Sequence, residues 1–386
     1  MKMSEELEKA KKVIGKKKQF IHGDAAVAYG ALLAGCRFFG GYPITPASEI
    51  AEKMADMLPR VGGKYIQMED ELGSIASVIG SSWAGAKAMT ATSGPGFSLM
   101  QENIGFAHMS ETPLVLANVQ RSGPSTGQPT LGAQGDMMQT RYGTHGDFAA
   151  ITLSPNNIQE TMEYTIRAFN LAEEYRTPVF LMICADLGHM REMVEIPDEV
   201  ETFERKKPKV SSEEYVPFGE GQYGKKKVPE FGVFGEGFHT YVTGLTHDKY
   251  GFPATDDQKD HETLIMRQVE KILDDREVLT DVEKRNLDDA DVAIVSYGIA
   301  SRSAIGAMNK GREKGMNIGY LRMKTIWPFP IKEIEELSRK VDKIVVAEMN
   351  LGQMFHKVKE HADCEVVLAS KIGGEIHSPD EILREV

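Results

Sequence analysis

The stretch QMEDELGSIASVIGSSWAGA, residues 67–86, carries the most suggestive acid in the chain. Wound as a helix, it brings Met68, Leu72, Ile75, Ala76 and Ile79 to one face, and Glu71 falls on that face one turn before Ile75. Asp70 turns away and Glu69 lies on the flank. A carboxylate on an apolar face is costly unless something binds it. It is either an ion-paired group, a charge favoured by the helix start, an acid that a shifted frame turns outward, or an acid facing a ligand. Arg121 follows the apolar run PLVLANVQ (113–120) and opens the polar loop RSGPSTGQPTLGAQGD. There it can clamp a carboxylate with paired hydrogen bonds, or form an ordinary surface ion pair. TSGPG (92–96) is a tight strand-to-helix turn. Its Gly94, Pro95 and Gly96 either admit a ligand close to the backbone or serve only as a short connection. In GGYPITPASEI (40–50), Tyr42 and Thr45 each precede a proline, which biases both toward extended backbone and stiffens the loop. His108 and His145 receive no role.

These residues need elements to hold them. An apolar helix over 25–39 precedes the YPITP loop, and an amphipathic helix follows it. Strands are expected over 87–93, 113–120, 149–155 and 178–185, with helices over 68–84, 97–110 and 156–175, the last capped by Ser154 or Asn156. That alternation means a parallel sheet covered by helices. Residues 1–19 form a charged leading segment and 20–199 the first domain. Residues 200–288 are an irregular arm rich in Gly, Pro, Lys and aromatics, followed by a charged helical linker. Strands over 291–298, 317–323, 343–349 and 365–370 mark a second, smaller α/β domain at 289–386. GEGQYG (219–224) matches a dinucleotide fingerprint, but no strand precedes it and KKKVPE follows where a helix should start.

Composition narrows the function. A net charge of −12 over 386 residues argues against nucleic-acid and anionic-membrane partners. Cys36, Cys184 and Cys364 are too few and too scattered for an iron–sulfur cluster held by this chain, and no metal-ligating set is read in it. The N-terminus is charged throughout and no run is long and apolar enough for a membrane span, so a cytoplasmic protein is expected.

YPITP (42–46), DELGS (70–74), TSGPGFSLMQENIG (92–105), VQRSGPSTGQPT (119–130) and QGDMMQ (134–139) resemble the alpha subunit of 2-oxoacid:ferredoxin oxidoreductases, as do WPFP (327–330) and VAEMNLGQM (346–354). The likeness runs through essentially the whole chain and is strongest to the 2-oxoglutarate members. It implies a pyrimidine-type thiamine-diphosphate domain followed by a transketolase-C-terminal-like domain. It also implies oxidative decarboxylation of a 2-oxoacid with coenzyme A, the electrons passing to ferredoxin. A beta subunit would hold the diphosphate, its magnesium and a 4Fe-4S cluster, and gamma and delta subunits can accompany it. By the same likeness Glu71 is the acid that pairs with the cofactor's pyrimidine ring, Thr45 and Tyr42 lie against substrate and cofactor, and Gly94 to Gly96 line the crevice. Arg121 would hold the substrate carboxylate, while Ser125 and Thr126 are the nearest donors for a distal one. Pyruvate or branched 2-oxoacids as substrates, a lipoamide-dependent dehydrogenase and a non-enzymatic assembly subunit stay open.

Overall fold

The runs Ala88–Thr92, Leu114–Ser122 and Pro178–Cys184 are buried along their whole length, as strands covered by helices on both faces must be. In the computed structural model, which describes residues 2–219 and 228–386, they are the middle of the larger sheet. Its order is Thr325–Trp327, Ile151–Leu153, Pro178–Cys184, Leu114–Ser122, Ala88–Thr92, Phe38–Gly41 and Lys64–Gln67. All neighbours pair parallel except the first two. Gln128–Gly132 folds back antiparallel on the far end of Leu114–Ser122 and begins the return of the loop after Arg121.

Helix Gly23–Leu33 is buried throughout. The helix expected over 25–39 stops there, because Phe38–Gly41 enters the sheet as a strand and delivers the chain directly into the YPITP loop. An apolar run buried on all sides has the same composition whether helix or strand, which is why the boundary escaped the sequence. The helix expected over 97–110 is two, Gly94–Leu99 and Gln101–Met109. The next one, Ile158–Tyr175, is capped by Asn157 rather than by Ser154 or Asn156.

The second sheet runs Val282–Arg285, Ile318–Met323, Val292–Tyr297, Lys343–Glu348, Glu365–Ser370, parallel apart from its first pair. Strand Val282–Arg285 lies within the stretch read as a helical linker, beyond helix Gln258–Leu273. The two units are not separate beads. Thr325–Trp327 leaves the second to pair with Ile151–Leu153 of the first, and one apolar core contains Phe97, Phe180, Trp327 and Val346 together. Among the described residues no helix is long and apolar enough to cross a membrane.

The arm is irregular but packed. Phe231 and Phe234 lie 4.3 and 5.3 Å from the ring of Trp83, and Tyr215, Phe218 and Val233 are buried. Apart from Gly219, the GEGQYG run lies outside the described residues. Helix Gln258–Leu273 is pinned to the first unit by Glu111, which is fully buried. Arg267 grips it through two bonds of 2.9 and 2.5 Å, and Lys271 adds a third at 2.8 Å. Burial alone would raise the Glu111 pKa, but Arg267, Lys271 and Arg176 outweigh it and hold the carboxyl well below the usual range. A lowered carboxyl stabilises the fold above the ordinary glutamate pKa and loses that contribution as pH falls toward the folded value. Glu111→Gln leaves buried cations uncompensated and should cost about 3–5 kcal/mol. Denaturant unfolding at neutral and acidic pH should give a lower midpoint for the variant and a shallower dependence on acid. An unchanged midpoint would mean that the Glu111 cluster does not hold helix Gln258–Leu273 to the first unit.

Candidate active site

Helix Glu71–Trp83 begins one residue after Asp70, whose carboxylate accepts the Gly73 N–H at 2.7 Å as its cap. Met68, Glu69 and Asp70 are therefore outside the helix. The buried face is Glu71, Ile75, Val78, Ile79 and Trp83, while Leu72 and Ala76, expected inside, are exposed. The expectation fails there because a helix starting at Glu71 turns its face toward the sheet rather than along the Met68 row. Glu71 itself is only 5% exposed. Its side chain lies under the turn after strand Ala88–Thr92. A Cβ placed on Gly96 would stand 2.4 Å from Glu71 Oε1 and 2.2 Å from Thr92 Oγ1. No side chain fits between them, so a glycine at 96 is the condition for the carboxylate to lie where it does. Burial raises the Glu71 pKa, Asp70 adds to the rise, and Arg121 opposes it.

Arg121 comes from the carboxyl end of Leu114–Ser122 and is 8% exposed. Its Nη1 donates to the Thr45 carbonyl at 2.7 Å, tying the strand end to the YPITP loop, whose Thr45–Pro46 bond is cis. Its Nε has no partner among the described residues. The same holds for Ser93 Oγ and Asn118 Oδ1 on neighbouring strand ends. Three buried polar atoms therefore lie close together with capacity for further hydrogen bonds.

The sequence reading missed Asp136, in the QGDMMQ run. Asn118 Nδ2 donates to its Oδ2 at 2.9 Å, and its own N–H donates to Gln120 Oε1 at 3.0 Å. Burial raises its pKa, against Asn118 and Arg121. Asp136, Gly94, Pro95 and Arg121 line a cleft of about 1000 Å³, which Gly123 to Ser125 continue. The opposite wall is the second unit, through Met349 to Leu351 and Lys371 to Gly374. Gln134 joins the walls. Its backbone N–H donates to the Met349 carbonyl at 3.1 Å, the Met349 N–H donates to its Oε1 at 3.0 Å, and Asn350 Nδ2 donates to its carbonyl at 2.7 Å. Nothing local in the sequence signals that two segments more than 200 residues apart share a cleft.

The remaining expected residues sort by position. Glu71, Arg121, Gly96 and the Thr45 carbonyl come together, and Gly94 and Pro95 face the cleft. Ser125 lies on the cleft rim with φ 58°, whereas Thr126, next to it, is exposed and outside the cleft lining. Tyr42 is 38% exposed, and Thr45 is exposed as well. His108 is buried against Phe148, and burial pulls its pKa down to about 3, which suits a neutral packing group.

Comparison with known proteins agrees with this architecture. Residues 29–267 match a family described as pyruvate flavodoxin/ferredoxin oxidoreductase, thiamine diphosphate-binding, and residues 290–382 match pyruvate:ferredoxin oxidoreductase core domain II. The 2-oxoglutarate synthase subunit KorA of Methanothermobacter marburgensis is 52% identical, over 95% of this chain and 98% of that one. The KorA subunit of Methanocaldococcus jannaschii is 53% identical over 96% and 99%. A solved 2-oxoglutarate:ferredoxin oxidoreductase from Magnetococcus marinus, with 2-oxoglutarate, coenzyme A and succinyl-CoA bound, aligns with a TM-score of 0.89 at 32% identity. That alignment covers 96% of this chain and 64% of the other, so this chain spans under two thirds of that structure's length. The chain belongs to the pyruvate flavodoxin/ferredoxin oxidoreductase family, and its α/β fold is that family's thiamine-diphosphate-binding domain followed by its core domain II.

Proposed function

We propose that this chain is the alpha subunit of a thiamine-diphosphate-dependent 2-oxoglutarate:ferredoxin oxidoreductase, turning 2-oxoglutarate and coenzyme A into succinyl-CoA and carbon dioxide while two electrons pass to ferredoxin. The observation that carries this reading is the buried Glu71 carboxylate packed on Gly96, with Arg121 beside it at the edge of the cleft. The fit to the cofactor rests on the unpartnered Ser93 Oγ, Asn118 Oδ1 and Arg121 Nε and on Gly94, which lines the cleft without a side chain. The cofactor's chemistry, when bound, is that of an electron sink for the carbon that loses carbon dioxide.

The work of this chain is to orient and to polarise. Glu71 holds a proton between its carboxylate and a pyrimidine nitrogen. Burial strengthens that bond and raises the acid's pKa. Arg121 has one nitrogen committed to the Thr45 carbonyl and its Nε available, so the guanidinium is pre-set to receive the C1 carboxylate of the substrate. Thr45 acts through that carbonyl, as a positioning residue for Arg121. Ser125 and the loop amides around it are the nearest donors on the rim for the distal carboxylate.

The named relatives are subunits, and this chain is read as one subunit too. Its three separated cysteines leave the 4Fe-4S cluster to a beta subunit, together with the diphosphate and its magnesium. Phe234, Tyr241, Tyr250 and Phe252 remain exposed on the arm and are the candidate contact with that partner or with gamma and delta subunits. Purified alone, the chain should contain no stoichiometric iron and show no 2-oxoacid-dependent dye reduction; co-production with a cysteine-rich beta subunit should restore both. Turnover by the lone chain would sink the split-subunit reading.

Glu71→Gln should lower turnover about a hundredfold or more, the range for removing an acid–base partner. Because burial disfavours the Glu71 charge, the same change should leave thermal stability level or slightly raised. Gly96→Ala should lower turnover as well, by displacing the carboxylate. Asp70→Asn and Glu69→Gln should keep most activity. A severe Asp70 variant beside a mild Glu71 variant would show that the acid has been misassigned.

Arg121→Lys should depress kcat/KM for every 2-oxoacid alike, since lysine lacks the planar fork. Ser125→Ala should cost 2-oxoglutarate selectively, about tenfold, the worth of one hydrogen bond to a charged group. Thr126→Val should be neutral. Equal loss for pyruvate and 2-oxoglutarate in the Ser125 variant would make the loop structural.

A further inference from the structure

Away from the cleft, Asp24 is 0% exposed, and neither carboxylate oxygen has a hydrogen-bond partner among the described residues. It sits in the first turn of helix Gly23–Leu33, with the Gly188 backbone as one wall: a Cβ there would stand 2.7 Å from Asp24 Oδ1. Desolvation weighs most heavily on this acid, and the neighbouring Glu49 carboxylate makes the site harder still to ionise. A buried, unbonded carboxylate facing a second carboxylate is an arrangement that proteins rarely leave unresolved.

The third member is His189, at the end of helix Ala185–His189. One ligand atom from each of Asp24, Glu49 and His189 lies within 4.8 Å of the others, and His189 Nε2 stands 3.7 Å from Glu49 Oε1. Donor atoms about 2.1 Å from a common ion are about 3.0 to 4.3 Å from one another, so small side-chain turns close the set. Glu49 and His189 are half-exposed and form the entry, while Asp24 forms the floor. Arg191 and Lys53 bear on the adjacent His22, but no cation is bonded to Asp24 among the described residues.

We propose that Asp24, Glu49 and His189 bind a divalent transition-metal cation, completed by water, outside the catalytic cleft. One imidazole nitrogen and two carboxylate oxygens suit Zn²⁺ or Mn²⁺ better than Mg²⁺, which prefers an all-oxygen shell. Two carboxylates against a double positive charge leave the site neutral. The role is to fix geometry. Glu49 lies in the first turn of helix Ser48–Met57, four residues beyond Thr45. The ion would tie that turn to helices Gly23–Leu33 and Ala185–His189, and so brace the YPITP loop whose carbonyl receives Arg121.

The test uses the full chain in its purified assembly, stripped with EDTA and titrated with MnCl2 or ZnCl2. Electron paramagnetic resonance of free Mn²⁺ should count one more tight site per chain in the native protein than in Asp24→Asn or in His189→Gln, a surface change that leaves folding intact. Either substitution should weaken this site about a hundredfold, at or beyond the effect of disturbing the groups behind a ligand. Zn²⁺ in excess should raise the unfolding midpoint of the native protein by a few degrees and leave His189→Gln unmoved. Equal site counts in all three proteins overturn the proposal. So does a midpoint that ignores metal and follows pH alone, since a proton rather than an ion would then settle the cluster. Metal present at the cofactor site is common to all three proteins and cancels from the comparison.

Discussion

A carboxylate kept out of water at the start of a helix is the constraint around which the cleft is built. Glu71 can lie under the glycine turn because Gly96 has no side chain to meet it, and it can lie at the sheet's carboxyl edge because Asp70 starts the helix one residue before it. Remove either condition and the acid is excluded from the site or turned to solvent. Low dielectric then acts on the acid. It raises the Glu71 pKa and strengthens any hydrogen bond the carboxyl makes. The nearby guanidinium of Arg121, whose Nη1 donates to the Thr45 carbonyl, tempers that rise.

The cleft also depends on contacts far from the acid. Gln134 spends both its backbone and its side chain on the second unit, and Gln353 returns the link by donating to the Gly135 carbonyl. With strand Thr325–Trp327 inserted beside Ile151–Leu153, these bonds make the wall around Met349 to Leu351 a rigid continuation of the first sheet. The arm is held by the same logic on the opposite side. Trp83, the last residue of the Glu71 helix, is packed under Phe231 and Phe234, so one helix presents the acid at one end and anchors the arm at the other.

Much of this was legible in the sequence. The strand that carries Arg121 and the alternation of strands and helices follow from apolar spacing. The order of motifs carried the family. What periodicity could not settle were boundaries inside uniformly buried runs, such as the end of helix Gly23–Leu33 before strand Phe38–Gly41, and the rotation of the Glu71 helix, which hung on which acid served as cap.

The sequence by itself determined the fold class, because strand and helix spacing is a local property of the chain, and its motifs pointed to Glu71 and Arg121 by family likeness. Only the tertiary structure decided that Asp136 and Asn118 join Arg121, that Ser125 faces the cleft while Thr126 does not, and that the second unit supplies the far wall. It alone brought Asp24, Glu49 and His189 together from three separate helices. Those juxtapositions are set by sheet order and by bonds between residues hundreds of positions apart, and no spacing along the chain encodes them.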